Sequence, residues 1–215
     1  MGLAIGVGIL AQTRGGGLKK AQEKFRADLS QLNEVLTEAG LLAHEEPESF
    51  ERSIKLRATV TSFPYSWLHN LRRFAAHVMR DPRWVPSPLE PGEDPAADPV
   101  LHQMYRGLSS HLLCHSDREG YYIPQVFEKP FLDPSHRLRG GTLGSSQKLR
   151  EELLLLIDPL EINVDQEGNL SDEDAKKIAS QRPTEAPFAV ERLVWLALYE
   201  VARVSIAKET AIVFY

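Results

Sequence analysis

Residues 110–146 contain a high concentration of side chains that could do chemistry. They include the only cysteine, three of the seven histidines, and a glycine-rich loop that runs into an amphipathic stretch. Thiols, imidazoles and carboxylates can act as nucleophiles, bases or metal ligands, and a glycine-rich helix entrance can bind an anion. We therefore expect a functional site within this stretch.

Two histidines, at positions 111 and 115, have metal-ligand spacing only if this part of the chain is helical. On a helix they are neighbours one turn apart, whereas on a strand they stand about 13 Å apart and cannot chelate one ion. The aromatic and β-branched run at 121–123 favours a β-hairpin, with strands over 110–115 and 120–124 and a polar turn between them. We therefore predict a hairpin and no metal site.

His115, Asp117 and Tyr122 are the candidate catalytic residues of this hairpin. An imidazole, a carboxylate and a phenol can transfer protons together, which would fit a hydrolase or a transferase. The alternative is structural, because an aspartate in a turn readily accepts hydrogen bonds from its own backbone. Cys114 suggests a thiol and base pair with His115, but adjacent strand residues point to opposite faces, so a buried thiol is favoured.

A second candidate feature is the glycine- and serine-rich loop at residues 139–146, RGGTLGSS. One of its two serines can cap the following helix, and the glycines leave backbone N–H groups free to bind a phosphate or a carboxylate. The loop is not a Walker A motif, because it has neither the spacing nor the lysine. A tight turn with an ordinary cap explains the same residues, so both interpretations stay open. The candidate ligand-binding residues are Ser116, Gly141, Thr142, Gly144, Ser145 and Ser146.

Apolar periodicity predicts the elements that must position these residues. The pattern indicates a single α+β domain over residues 1–215, with a small mixed β-sheet covered by several amphipathic helices. The last strand is expected to pair beside the first. Helices are expected near 18–39, 64–79, 146–157 and 187–206, and strands at 3–10, 110–115, 120–124 and 211–215.

Two segments interrupt this pattern. Six prolines between positions 81 and 99 exclude a helix and predict an extended, Pro-rich excursion. Residues 165–174, DQEGNLSDED, resemble a calcium loop only faintly, because the ligand order and the terminal glutamate of an EF-hand are missing. We interpret them as a solvated acidic turn that leads into a short helix.

Composition narrows the classes of function. The formal net charge of −5 and the isoelectric point near 5.8 argue against a nucleic-acid partner, because nucleic-acid binding normally needs a clustered basic face. A single cysteine permits no internal disulfide and fits a reducing compartment, so we expect a cytoplasmic protein. The apolar start of the chain is too short to span a bilayer and predicts a buried strand, so no membrane partner is expected. No cofactor is expected, and the oligomeric state stays open.

Several motifs together resemble a known family. They are GLAIGVGIL at 2–10, FPYSW at 63–67, HLLCHSD at 111–117, GYYIP at 120–124, GSS at 144–146, ERLVW at 191–195 and AIVF at 211–214. With these motifs the chain is similar, over nearly its whole length, to a family of uncharacterised bacterial proteins of similar size. The resemblance implies a single cytosolic bacterial domain and brings no assigned activity.

These observations lead to two functional hypotheses. The leading one is a binding or interaction protein, either immunity-like or specific for a small anionic ligand, that recognises a protein partner or that ligand through the hairpin turn and the Gly-Ser loop. The alternative is a hydrolase or transferase in which His115, Asp117 and Tyr122 act around an anion held by residues 141–146. Whether the protein is an enzyme stays open.

Overall fold

The computed structural model describes residues 2–12, 18–52, 55–90 and 92–215. The described residues form strands and helices in a mixed order, and the predicted α+β class is confirmed. The strands are β1 (Gly2–Val7), β2 (Ser62–Pro64), β3 (Gly120–Ile123), β4 (Phe131–Leu132), β5 (Thr142–Ser145) and β6 (Ile212–Phe214). The helices are α1 (Leu18–Glu38), α2 (Tyr65–Arg80), α3 (Pro99–Tyr105), α4 (His111–Cys114), α5 (Ser146–Leu154), α6 (Asp172–Ala179) and α7 (Ala189–Lys208).

The strands form one mixed sheet in the order β2-β1-β6-β3-β5-β4. Strand β6 lies between β1 and β3 and is antiparallel to both, whereas β3 and β5 run parallel. The predicted pairing of the last strand beside the first is confirmed, with Ile5 opposite Phe214. Because both neighbours of β6 are strands, its backbone N–H and C=O groups are covered on both sides.

Helices cover both faces of this sheet. Tyr121 and Ile123 of β3 pack in the cluster that includes α1, whereas Tyr122 packs in the opposite cluster, as the alternation of a strand requires. The opposite layer contains α2, α5 and α7, and α6 packs on α7. Most of α7 is buried because it lies among α2, α5 and α6. This burial explains why its sequence is largely apolar.

The predicted strand at 110–115 is wrong, because the chain forms the four-residue helix α4 there. At its N-terminus, the Glu152 carboxylate accepts hydrogen bonds from the N–H groups of His111 and Leu112, both at 2.7 Å. At its C-terminal end, Arg72 donates to the carbonyls of Leu112 (2.9 Å) and His115 (2.6 Å). An anion at the start and a cation at the end of a helix complement its dipole, so two distant side chains stabilise a helix too short to form alone.

The glycine-rich stretch at 142–145 is a strand, although the sequence predicted a loop. Gly144 lies flat against Tyr122 of the neighbouring strand: a Cβ atom built on it would stand 2.1 Å from the ring carbon Cδ1. Only glycine lets the buried tyrosine ring pack this closely on the backbone of β5. The glycine that indicated a loop is therefore a packing requirement of the sheet.

The described residues of the Pro-rich excursion, 81–90 and 92–98, run over α2 and form no α-helix before α3 begins at Pro99. Trp84 stacks on His77 and meets Phe74 edge-on, with ring centroids 4.7 and 5.2 Å away. Arg73 donates to the carbonyl of Ser87 (3.3 Å). These contacts attach the excursion to the helix beneath it.

Candidate interaction surface

The two halves of the predicted site do meet in space. The N–H of Ser116 in the polar turn donates to Thr142 Oγ1 (2.9 Å), and the N–H of Ser145 donates to His111 Nδ1 (2.9 Å). They meet as packed core, however, since Ser145 and Ser146 are 0% exposed. The entrance of α5 is therefore filled by the protein's own groups.

His115 packs among the protein's own groups. Its ring is buried and stacks on Tyr122 with centroids 4.1 Å apart. Its Nδ1 lies 2.8 Å from the Ser116 carbonyl oxygen and its Nε2 lies 3.0 Å from the Tyr121 carbonyl oxygen. Burial lowers the pKa of His115 to about 4, so the ring is neutral at pH 7. A neutral imidazole has one N–H, so one of the two carbonyls accepts a hydrogen bond from the ring, and burial keeps the other nitrogen away from a substrate.

The other two candidate catalytic residues, Asp117 and Tyr122, contact different partners. The Asp117 carboxylate contacts His69 Nε2 at 3.0 Å, and the Tyr122 hydroxyl donates to the carbonyl of His111 at 2.9 Å. Burial raises the pKa of Tyr122, so its phenol stays protonated. The catalytic role of His115, Asp117 and Tyr122 stays a prediction.

The candidate ligand-binding residues are engaged in structural contacts. The Ser145 hydroxyl accepts from the N–H of Lys148 (3.3 Å) and so caps α5, and Ser146 Oγ lies 2.7 Å from Ser205 Oγ. Gly141 adopts a left-handed conformation with φ +69° at the entry to β5, where its carbonyl accepts from the N–H of Asp133. A binding role for Ser116, Gly141, Thr142, Gly144, Ser145 and Ser146 stays a prediction.

Replacing Ser145 by alanine should lower the free energy of unfolding by about 0.5–2 kcal/mol, because α5 loses its N-terminal cap. Urea denaturation followed by circular dichroism measures the change. The matched control is Ser30→Ala on the exposed side of α1, which should leave the stability nearly unchanged because alanine is the better helix former there. Equal stability of Ser145→Ala and the wild type would contradict the capping role.

A different region concentrates acidic side chains without basic ones. Residues 151–174 contain nine carboxylates and no lysine, arginine or histidine, whereas the whole chain has 30 acidic and 25 basic residues. We call residues 151–174 the acidic segment; it runs from α5 through the following turns into α6. Its carboxylates are Glu151, Glu152, Asp158, Glu161, Asp165, Glu167, Asp172, Glu173 and Asp174.

Most of these carboxylates face solvent. Glu152, which caps α4, and Asp174 are the partly buried exceptions. Within the described residues, ion pairs reach two of the exposed carboxylates: Glu151 from Lys148 (3.1 Å) and Asp172 from Arg57 (3.0 Å). The remaining exposed carboxylates have no ion pair within the described part of the chain: Asp158, Glu161, Asp165, Glu167 and Glu173.

The core holds the acidic segment in a defined conformation. The Asp165 carboxylate accepts from the N–H groups of Asn169 (2.7 Å) and Glu167 (3.0 Å), and these hydrogen bonds lower the pKa of Asp165. The carbonyl of Gly168 accepts from the Tyr199 hydroxyl of α7 (2.8 Å). The acidic groups are therefore presented from fixed backbone positions.

Two shallow cavities lie along the acidic segment. Asp158 and Glu161 line one of about 480 Å³ together with Pro86, so the Pro-rich excursion meets the acidic segment there. Glu161 also lines a second cavity, of about 150 Å³. Arg192 borders both, but its guanidinium donates to the Pro187 carbonyl (2.7 Å) and to Gln181 (3.0 Å). Uncharged acceptors thus hold Arg192, and Lys177 is a further cation that lines the smaller cavity.

The acidic segment is visible in the sequence, but only a part of it was predicted to be a solvated acidic turn. The acidic turn at 165–174 was predicted to be solvated, whereas the absence of basic residues extends over all of 151–174. A run of like charge is usually a solvated face, and charge alone does not name a partner.

Comparison with known proteins gives one match. Neither the curated proteins nor the solved structures include a chain that matches this one. None of the helices described here is long and apolar enough to cross a membrane. A family model described as "Putative DNA-mimic protein" matches residues 1–214, which confirms the predicted resemblance to one family over nearly the whole chain.

The family description agrees with the general form of the leading hypothesis, an interaction protein. The description contradicts the prediction that nucleic acid has no part in the interactions of this protein, because the family is described by its mimicry of DNA. A negative net charge argues against binding DNA, but it is the charge that a substitute for DNA must carry. Since the match runs over residues 1–214 of 215, the chain belongs to this DNA-mimic family.

Proposed function

We propose that the protein binds the DNA-contacting face of a DNA-binding protein and presents carboxylates there in place of backbone phosphates. The observation that carries the proposal is the acidic segment: nine carboxylates without a basic residue, on a chain that the DNA-mimic family matches over residues 1–214. The acidic segment supplies the negative face, and the partner supplies lysine and arginine.

The chemistry of the two anions supports this exchange. Proteins contact DNA largely through lysine and arginine, which neutralise the charge of the phosphates. A carboxylate accepts hydrogen bonds from the same side chains, and arginine binds both groups with two parallel hydrogen bonds. The exposed carboxylates without an ion pair, such as Asp158, Glu161 and Glu167, are available for such contacts.

The fixed backbone of the acidic segment favours a mimic over a flexible acidic tail. Asp165 and Gly168 are held by hydrogen bonds, and the apolar residues Leu156, Leu160 and Leu170 of the same segment are buried. A surface that is already ordered loses less conformational entropy when it binds. A defined spacing of carboxylates also allows selection among basic partners, because like charges placed opposite each other are unfavourable.

The location and the kind of partner belong to the same proposal. The DNA-binding proteins of a bacterium act in the cytoplasm, which is the location expected from the single cysteine. An immunity-like role is the case in which the partner is a toxin that binds DNA. The identity of the captured partner decides this point.

Competition with DNA tests the proposal directly. The immobilised protein is offered bacterial proteins that were eluted from DNA–cellulose, and the retained protein is identified and purified. That partner is then titrated with a fluorescent DNA duplex in the presence of increasing amounts of the protein. We expect the apparent dissociation constant for DNA to rise in proportion to the concentration of the protein. A ternary complex with DNA, or the absence of any retained DNA-binding protein, would contradict the proposal.

A further inference from the structure

We propose that a basic cavity between α6, α7 and residues 55–59 binds a phosphate group. This inference does not depend on DNA mimicry, because it concerns cationic side chains, which lie at the end of the acidic segment where Asp172 also lines the cavity. The cavity has a volume of about 540 Å³, and its charged lining residues are Lys55, Arg57, Asp172, Lys176 and Arg203. This size is within the range of sites for small molecules.

The cavity contains cationic donors that the protein does not use. Lys55 and Lys176 are exposed, and neither makes an ion pair with a residue of the described ranges. Arg203 donates through Nε and Nη2 to Glu200, at 3.0 and 2.9 Å, which leaves its Nη1 without a hydrogen bond to a described residue. Three separate cationic groups can therefore donate to one ligand.

Both carboxylates next to the cavity have a cationic partner within the protein. Glu200 is buried and accepts from Arg57 Nη2 (2.6 Å), Arg57 Nε (3.0 Å) and the Arg57 N–H (2.9 Å), in addition to Arg203. Asp172 accepts from Arg57 Nη1 (3.0 Å). Four cationic side chains and two carboxylates leave a surplus of two positive charges, which corresponds to Lys55 and Lys176 because Arg57 and Arg203 pair with Asp172 and Glu200.

A phosphate group fits this surplus better than a carboxylate does. A phosphate monoester carries a charge between −1.5 and −2 near pH 7, roughly twice that of a carboxylate, and offers three acceptor oxygens. Lysine and arginine are its usual protein partners. Leu56, Leu170 and Ala179 also line the cavity and can contact the organic part of an ester. The source of the phosphate group is therefore either inorganic phosphate or a phosphate ester.

The experiment is a titration of the whole protein with sodium phosphate, followed by amide chemical shifts, at an ionic strength held constant with sodium chloride. We expect saturable shifts at Asn169 and Lys176. Lys55→Ala and Lys176→Ala should each weaken binding about tenfold through the loss of a charged hydrogen bond. The control is Lys177→Ala, the next residue on α6, which lines another cavity and should leave binding unchanged. Thermal unfolding confirms that each variant is folded.

A second arm compares inorganic phosphate with phenyl phosphate. Tighter binding of phenyl phosphate would assign the site to an ester, and equal binding would assign it to inorganic phosphate. Shifts that do not saturate, or that sodium chloride alone reproduces, would overturn the proposal. Equal weakening by Lys177→Ala and Lys176→Ala would also overturn it, because general attraction to a basic surface would then explain the binding.

Discussion

Reversal of three charges on the acidic segment, in the combined variant Asp158→Lys, Glu161→Lys and Glu167→Lys, should weaken binding to the DNA-binding partner about a thousandfold. The three carboxylates are exposed and have no ion pair among the described residues, so the free protein loses little when they change. In the complex, each lysine would face a lysine or arginine of the partner. Surface plasmon resonance with the partner obtained by DNA competition measures the effect.

A matched variant separates the surface from the net charge. Glu23→Lys, Glu34→Lys and Glu45→Lys make the same change in net charge at exposed positions of α1 and the loop after it. Since α1 covers the opposite face of the sheet, this variant should bind within about tenfold of the wild type through screened long-range attraction alone. If both triple variants lose binding equally, the acidic segment is not the contacting surface.

Removal of the buried carboxylate of Glu200 should be the most destabilising of the substitutions considered for this protein. Glu200→Ala leaves Arg57 and Arg203 without their shared partner, and breaking a buried ion pair on one side destabilises a protein by about 3–5 kcal/mol. Urea denaturation at pH 7 measures this loss. Glu200→Gln keeps the shape and some hydrogen bonds, so it should lose less than Glu200→Ala. A change below about 1 kcal/mol for Glu200→Ala would contradict this role.

The same carboxylate predicts how stability depends on pH. Burial alone would raise the pKa of Glu200, but hydrogen bonds from Arg203 and Arg57 lower it to about 2. A lowered carboxyl pKa stabilises the fold above the unfolded value of 4.5 and loses that effect as the pH falls towards 2. The wild type should therefore lose stability between about pH 4.5 and pH 2, and Glu200→Gln should lose less over the same range.

Elements with a clear apolar stripe could be predicted from the sequence. Helix α2 was expected over 64–79 and forms at Tyr65–Arg80, and β6 was expected within 211–215 and forms at Ile212–Phe214. In both cases the pattern of buried residues is local, so a short stretch of sequence is enough to predict the element. The short strands β2 and β4, of three and two residues, offer no such pattern.

Interactions between distant residues determined what the sequence could not predict. Helix α4 depends on Glu152 and Arg72, which lie about 40 residues away on either side of it. The predicted hairpin followed local propensity at Tyr121 and Tyr122, and that preference was correct only for β3. Likewise, Gly144 of β5 indicated a loop when only its neighbours in the sequence were considered. Its role in the strand depends on the Tyr122 ring of β3, which the local sequence does not show.

The choice of residues 110–146 as the candidate site has a related explanation. Histidine, aspartate and tyrosine favoured residues 110–146, where His115 and Tyr122 bond backbone carbonyls and Asp117 contacts His69. The acidic segment contains no histidine, cysteine or lysine, so its residue types do not indicate a reactive site. A surface that imitates a polyanion needs only many carboxylates in fixed positions, and such a function is visible in the distribution of charge.

The place of β6 within the sheet affects how the chain can fold during synthesis. Strand β6 lies between β1 and β3, yet it follows the other described strands in the chain and is synthesised after them. Until residues 212–214 emerge, the sheet consists of two separate parts, β2-β1 and β3-β5-β4, each with an unpaired inner edge. Such edges can pair with other chains, so a nascent or prematurely released product that ends before β6 should be prone to aggregate and to recruit chaperones.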